Sequence, residues 1–130
     1  MRIDYFSHMP GLVTRLRHIT SEQAQFTLDQ ALRVLIEARV SQLNACVYCL
    51  HRHFREALHR GESQRRLDSL TVWHESPLFD AREKAALAWA ESLTLLPDSR
   101  ADDAVFAALK MHFSDLEIVE LSRAISLANF

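Results

Sequence analysis

Apolar residues recur every three or four positions along most of the chain, which is the spacing of one helical face. A weak pattern at Leu12, Val13 and Leu16 predicts a first helix that ends near residue 20, after an irregular lead-in over residues 1–10. The strongest pattern predicts a second helix with one apolar stripe over about four turns. That stripe consists of Leu28, Leu32, Leu35, Ile36, Val40 and Leu43.

Capping and helix-breaking residues divide the remainder of the chain into five further helices. Asn44 is the expected N-cap of a third helix, which runs from Ala45 to about Arg60 and ends at Gly61. Ser63 is the expected cap of a fourth helix. The remaining boundaries are predicted by Pro77, Pro97, the capping-box pairs Asp80–Glu83 and Ser114–Glu117, and Ser99 with Asp102.

Composition supports the helical interpretation. The chain has 130 residues, of which only 2 are Gly and 3 are Pro, whereas sheet proteins of this size need many turns. Hydrophobic residues make up 48% of the chain, too many for a disordered protein. We therefore expect one all-α domain over residues 1–130, a compact bundle of about six to seven helices.

The apolar stripe of the last predicted helix is still running where the sequence stops. It passes through Ile118, Leu121 and Ile125 towards Phe130. We therefore expect either a truncated last helix or a subunit that completes its core against neighbouring copies.

The charge pattern excludes several classes of partner. The net charge is -2 and the two signs are interspersed, so no basic face for nucleic acid is expected, and the Arg65-Arg66 pair is interpreted as a solvated helix face. No apolar run reaches the roughly 18 residues of a membrane span, and residues 1–9 do not resemble a signal peptide. We expect a cytoplasmic protein, in which paired cysteines are seldom structural disulfides.

Cys46, Cys49 and His53 carry the most chemical information. On one helix these three side chains lie within about 60° of arc, whereas His51 points to the far side. Cysteines three residues apart in a first helical turn can reach disulfide distance. The Asn44 cap and the helix dipole favour a thiolate at Cys46, while His53 can accept the thiol proton of Cys49. Position alone leaves open which cysteine attacks a substrate.

Two other interpretations of the cysteines are open. A zinc site would use Cys46, Cys49 and His53, but the usual paired-ligand spacing is missing. Its fourth ligand would have to come from His59, His74 or His112. Alternatively, the cysteines are small apolar residues of the core. We interpret His51, His59 and His74 as surface residues.

This segment resembles the signature of the alkylhydroperoxidase D-like proteins, which belong to the carboxymuconolactone decarboxylase superfamily. The core of the resemblance is Ser41-Gln42-Leu43-Asn44-Ala45-Cys46-Val47-Tyr48-Cys49, followed by His53. Segments 73–79 and 82–91 also match, and residues 112–114 match more weakly. The resemblance covers roughly residues 28–130, with the signature region at 28–96.

The resemblance implies an all-α fold that forms homo-oligomers, commonly trimers or hexamers, with sites near subunit contacts. It further implies that Cys49 attacks a hydroperoxide and becomes a sulfenic acid, that Cys46 condenses with it to a disulfide, and that His53 relays the proton. A thiol or a disulfide reductase then donates electrons to restore the dithiol. No metal, flavin or haem cofactor is implied.

The sequence departs from the family pattern at one position of the proton relay. The family usually has a Glu twelve residues before the first cysteine, and Val34 stands there. Glu37 lies one turn further along the same helix and is the tentative replacement. The alternative is that Glu37 is an exposed helix residue, in which case His53 is less firmly oriented.

The leading hypothesis is therefore a dithiol peroxidase or reductase that acts on small or alkyl hydroperoxides in antioxidant defence. One alternative is a thiol–disulfide redox adaptor with little peroxidase turnover. Another is a non-enzymatic oligomeric binding protein on the same scaffold. Decarboxylase chemistry is less expected, because the dithiol signature marks the redox branch of the superfamily.

Overall fold

The computed structural model describes residues 4–130, and all regular structure within them is helical. Short 3-10 turns lie at Glu22–Gln25 and Ser69–Val72. The α-helices are α1 (Tyr5–His8), α2 (Pro10–Ser21), α3 (Gln30–Leu43), α4 (Val47–His59), α5 (Gln64–Asp68), α6 (Ala81–Thr94), α7 (Leu96–Ser99), α8 (Asp103–Lys110) and α9 (Asp115–Asn129). The all-α prediction is confirmed. The described helices exceed the expected six to seven because single-turn helices form at α1 and α7.

Helix α3 lies at the centre of the bundle and packs against α4, α6 and α9. Residues 32–38 are all buried, so this helix is enclosed on every side rather than along one stripe. Two of the buried residues, Arg33 and Glu37, are charged. A buried charge must be paired. The segment of α3 that faces α4 therefore carries an ion-paired site as well as core residues.

Most predicted helix boundaries are confirmed. Ser63 caps α5, and both capping boxes form at the starts of α6 and α9. Gly61 follows the last turn of α4 with φ +94°, a conformation that glycine adopts without strain. Ser99 ends α7, however, and Asp102 alone caps α8 by accepting the N–H of Ala104.

The prediction that Asn44 caps the third helix is wrong. Asn44 has helical backbone angles and ends α3, with its N–H donating to the carbonyl of Val40. Ala45 then turns the chain with φ 50°, and Cys46 is the extended residue that caps α4. Three residues, 44–46, therefore connect the two helices, which brings the start of α4 close to the end of α3.

Arg66 is not the solvated residue that the sequence suggested. Its guanidinium pairs with Glu62 at 2.8 Å and also with Glu83, donates to the carbonyl of Leu78, and lies 4.8 Å from the ring centroid of Phe79. It ties α5 to the start of α6. Its neighbour Arg65 is exposed, as expected.

Two further carboxylates hold segments of the bundle together. Glu91 on α6 accepts from Trp73 at 2.7 Å and from Arg39 on α3 at 2.7 and 2.9 Å. Glu120 on α9 accepts the N–H groups of Thr27 and Leu28 just before α3. Burial alone would raise the pKa of Glu120, but these donors stabilise its charged form and hold the pKa below its usual value.

Candidate functional site

Cys46 and Cys49 are joined by a disulfide at the start of α4, with their Cα atoms 5.3 Å apart. The Cys46 N–H donates to the carbonyl of Ser41, and the Cys46 sulfur accepts the N–H of Cys49 at 3.3 Å. The sequence correctly predicts a pair within disulfide reach. Because Cys46 is the cap itself, its sulfur lies beside the free N–H groups of the first turn, where the helix dipole favours negative charge.

Cys49 is the third residue of α4, and His53 lies one turn further along the same helix. Both are half-buried, and both line one groove on the surface. His51 is exposed, as the helical spacing predicts. Since Cys46 does not line the groove, a molecule bound there would meet Cys49 first.

His53 faces a carboxylate from the neighbouring helix. Its Nδ1 atom lies 3.2 Å from Oε2 of Glu37 on α3. Nδ1 is buried and makes no well-aligned hydrogen bond with any described residue, so the contact is an electrostatic one. A carboxylate on this side of the ring favours a proton on Nδ1 and leaves Nε2 as the proton acceptor.

Glu37 is one of the most enclosed carboxylates of the described chain, with 4% of its surface exposed. The alternative that it is an exposed helix residue is therefore wrong. Val34, at the position where the family usually has its Glu, is fully buried among apolar side chains. Glu37 lies one turn away on α3, on the side that contacts α4, so the structure brings it to His53 as the tentative assignment expects.

Arg33 compensates the charge of Glu37. Its Nη1 atom donates to both carboxylate oxygens at 2.7 Å, its Nη2 atom pairs with Glu56 at 3.0 Å, and its Nε atom donates to Gln30. Burial of the Glu56 carboxyl raises its pKa, but Arg33 and Arg60 outweigh that effect and lower the pKa below its ordinary value. The carboxylates beside His53 are thus fixed in position by a buried network.

Arg33 and Glu56 are the site residues that the sequence analysis missed. The signal available was the four-residue spacing of Arg33 and Glu37, which favours an ion pair on one helix. It was obscured because both residues stand within a strongly apolar segment. Only the packing of α3 against α4 shows that the pair is buried and that Glu56 joins it.

A metal site at the cysteines finds no support in the arrangement. His59, His74 and His112 are all exposed, and the two sulfurs are bonded to each other. Within the described residues, the ligand atoms close enough to hold a cation belong to Glu37, His53 and Glu56, all within 4.8 Å of one another. Arg33 already lies among them and supplies the positive charge that a cation would bring.

The groove that reaches Cys49 and His53 has a volume of about 1080 Å³. Helix α2 forms one wall, α4 forms the other, and the end of α9 closes one side. Pockets of this size accommodate small molecules with an extended apolar part. The half-buried sulfur of Cys49 and the imidazole of His53 thus lie at the wall of a ligand-sized groove, with the buried Glu37 carboxylate behind the ring.

A model of the carboxymuconolactone decarboxylase family matches residues 12–92, from α2 into α6. The chain belongs to this family. The matched segment contains Cys46, Cys49, His53 and Glu37. The resemblance carried by the segment around Cys46 and Cys49 is therefore confirmed at the level of the family.

Two proteins with similar sequences are both described as uncharacterized. YdfG of Bacillus subtilis is 30% identical over 128 residues, which cover 98% of this chain and 87% of YdfG. YnjA of Escherichia coli is 32% identical over 108 residues, which cover 83% of this chain but only 59% of YnjA. These relatives support the family assignment, but their descriptions give no activity.

A solved structure shares the fold of this family member. It is a protein of unknown function from Agrobacterium tumefaciens, ATU0492, for which an antioxidant-defence role of the AhpD type has been suggested. It superimposes with a TM-score of 0.93 at 32% sequence identity, over 98% of this chain and 88% of the other. The helical bundle described above is therefore the AhpD-like fold.

Within the described residues, no helix combines the length and the apolar character needed to cross a bilayer.

Proposed function

We propose that this protein is a dithiol peroxidase that reduces alkyl hydroperoxides, with Cys49 as the attacking thiolate and Cys46 as the resolving thiol. The observation that carries the proposal is that Cys49 and His53 line the same groove while Glu37 lies behind the imidazole, 3.2 Å from its Nδ1 atom. A nucleophile, a base and a group that orients the base form the arrangement needed for nucleophilic chemistry.

In the first step, His53 accepts the Cys49 thiol proton at Nε2, and the thiolate attacks the terminal oxygen of a hydroperoxide ROOH. The S–O bond forms as the O–O bond breaks, so Cys49 is oxidised to a sulfenic acid. The leaving alkoxide takes the proton from His53 and departs as the alcohol ROH. The negative charge of Glu37 stabilises the imidazolium that exists between these two proton transfers.

In the second step, the Cys46 thiol attacks the sulfenic sulfur of Cys49. The disulfide forms and the hydroxyl leaves as water, with the Cys46 proton completing that water. The 5.3 Å separation of the two Cα atoms supports this step, because it lies within the range that a disulfide spans.

In the third step, an external thiol reduces the disulfide. Its thiolate attacks Cys49 from the groove and releases Cys46 as a thiolate. The Cys46 sulfur accepts the N–H of Cys49 at the start of α4, which stabilises that leaving group. A second external thiol completes the exchange, so one ROOH and two thiols give ROH, water and one external disulfide.

The test is peroxide consumption with dithiothreitol as reductant, for the wild type, Cys49→Ser and Cys46→Ser. We expect turnover by the wild type, loss of all turnover in Cys49→Ser, and at most slow turnover in Cys46→Ser, where dithiothreitol must resolve the sulfenic acid directly. Mass spectrometry of the reduced wild type after mild peroxide treatment should show the loss of two hydrogens. Two unmodified thiols after that treatment would overturn the proposal.

A redox adaptor is the second candidate, and the exposure of the residues between the cysteines favours it. Val47 and Tyr48 are 67% and 78% exposed, so a partner protein has unobstructed access to the first turn of α4. The same assay distinguishes the two functions. An adaptor would form the disulfide and exchange it with protein thiols, while consuming hydroperoxide no faster than dithiothreitol alone.

Assembly into a trimer or hexamer stays a prediction taken from the family resemblance. Helix α9 is consistent with a subunit contact, since Leu116 and Val119 are 55% and 64% exposed. Sedimentation velocity on the purified chain measures the subunit number directly.

A further inference from the structure

The charged residues of the groove are predominantly basic. Arg17, Arg33, Arg52 and Arg60 line it, and Glu56 is its one acidic residue among those described. The chain as a whole has a net charge of -2, so the groove differs in sign from the rest of the molecule. A concave surface lined by one sign of charge concentrates ligands of the opposite sign.

Two of these arginines have no side-chain partner among the residues that the structure describes. Arg33 and Arg60 are paired with Glu37 and Glu56. Arg17 on α2 and Arg52 on α4 make no ion pair or side-chain hydrogen bond with any part of the chain that the structure describes. Their guanidinium groups, on opposite walls of the groove, are therefore available to an anionic ligand.

The rest of the lining is largely apolar. Leu12 and Leu16 contribute from α2, and Leu127 and Ala128 contribute from the end of α9. A ligand that fits this surface has an alkyl part for these side chains and an anionic head for the two arginines. Guanidinium groups bind carboxylates especially well, through pairs of parallel hydrogen bonds.

On the basis of the proposed peroxidase function, we propose that the preferred substrates are alkyl hydroperoxides that carry a carboxylate, such as fatty-acid hydroperoxides. Arg17 and Arg52 bind the carboxylate, and the α2 and α9 side chains contact the alkyl chain. Arg52 lies one helical turn from Cys49, so the head group is held near the thiol while a flexible chain brings its hydroperoxide to the sulfur.

The test compares the hydroperoxide of linoleic acid with the hydroperoxide of its methyl ester, below the concentration at which either forms micelles. The two have the same alkyl chain and differ in the head group, which is a charged carboxylate in one and an uncharged methyl ester in the other. With dithiothreitol as reductant, we expect kcat/KM for the acid to exceed that for the ester at least tenfold. The ratio should fall as the salt concentration rises, because salt screens the arginines.

Variants then assign the preference to particular residues. The Arg17→Gln/Arg52→Gln double variant should bring the acid-to-ester ratio close to one. The matched control is Arg15→Gln/Arg55→Gln, which removes the same charge from the same two helices at exposed positions outside this groove. The control should keep the ratio. Loss of the ratio in both variants would show a general effect of net charge and would overturn the assignment.

A binding measurement keeps this inference separate from the peroxidase proposal. Calorimetric titration of the oxidised protein with linoleate, which has no peroxide group, should show binding that Arg17→Gln/Arg52→Gln weakens at least tenfold. Absence of all peroxide turnover with such binding intact contradicts the peroxidase function alone. Equal kcat/KM for acid and ester, or linoleate binding unaffected by the variant, overturns the inference. The inference is also overturned if Arg17→Gln/Arg52→Gln changes the subunit number and leaves linoleate binding unchanged, because a second copy of the chain would then occupy the groove.

Discussion

Glu37 on α3 and His53 on α4 meet across the interface of the two helices, with Oε2 of the carboxylate 3.2 Å from Nδ1 of the ring. The contact exists because residues 32–38 of α3 are buried on all sides, and the charged members of that segment face α4. A carboxylate held behind an imidazole fixes the orientation of the ring. The proposed role of His53 depends on this pair.

Glu37→Gln should lower peroxide turnover by about tenfold or more, because the amide keeps the shape of the side chain but removes the charge that stabilises the imidazolium. The matched control is Glu75→Gln, since Glu75 is exposed and belongs to no site described above. The measurement is kcat/KM with a single hydroperoxide for both variants. Wild-type turnover in Glu37→Gln would remove Glu37 from the relay.

His53→Ala should slow the alkylation of the reduced protein near neutral pH, because Cys49 then lacks the base that takes its proton. Iodoacetamide alkylation rates, measured as a function of pH in the Cys46→Ser background, report Cys49 alone. His51→Ala serves as the control, since that histidine is exposed on the far side of α4. Coincident pH profiles for His53→Ala and its parent would contradict the relay.

Arg33→Met should destabilise the fold by about 3–5 kcal/mol, because it leaves the Glu37 carboxylate buried without a counter-charge. The Arg33→Met/Glu37→Leu double variant removes both charges and should recover much of this loss. Urea denaturation followed by circular dichroism gives the free energies of unfolding. The two single variants, Arg33→Met and Glu37→Leu, are measured alongside. If their losses of unfolding free energy simply add in the double variant, the buried pair does not interact as described.

Ala45→Gly should not reduce stability, and a gain of up to about 1 kcal/mol is expected. Ala45 has φ 50°, and a residue with a Cβ atom is strained there, whereas glycine is not. Ala107→Gly is the control, since Ala107 is an exposed residue inside α8 and should lose about 0.5–1 kcal/mol. Equal losses in the two variants would contradict the left-handed turn between α3 and α4.

Glu120 should make stability depend on pH in a defined direction. Its pKa is lowered in the folded protein, so its contribution is complete above the ordinary Glu value of about 4.5 and is lost as the pH falls through the lower folded value. Glu120→Gln should cost about 1.5–3 kcal/mol at neutral pH, since hydrogen bonds to a charged acceptor become bonds to a neutral one. Measured from pH 7 to pH 3, the difference from wild type should shrink only in the acidic part. A difference that is constant or grows towards low pH would contradict this account.

Helical spacing and capping chemistry predicted most of the bundle because both are local signals. The capping boxes at Asp80 and Ser114 and the glycine at position 61 formed where the sequence placed them. Asn44 failed as a cap because an Asn can also end a helix, and the choice depended on the left-handed turn at Ala45. No local sequence pattern predicts that a particular alanine adopts a left-handed conformation.

Only the part of the candidate site that lies on one segment of the chain could be predicted from the sequence. The placement of Cys49 and His53 on one helix followed from sequence, and so did the proximity of Cys46 to Cys49, although Cys46 caps the helix and does not lie within it. Whether Glu37 was buried could not follow, because it depends on how α3 packs against α4. Arg33 was missed for the same reason, since its role arises from enclosure by two helices and not from its neighbours in sequence.

In the proposed mechanism, Cys49 is the residue that hydroperoxide oxidises. This role is tested most directly in the Cys46→Ser variant, treated with one equivalent of hydroperoxide in the presence of dimedone, which traps sulfenic acids. Peptide mass spectrometry should place the dimedone adduct on Cys49, and the parallel Cys49→Ser variant should carry none on Cys46. An adduct on Cys46 in Cys49→Ser, with Cys49 unmodified in Cys46→Ser, would contradict the account.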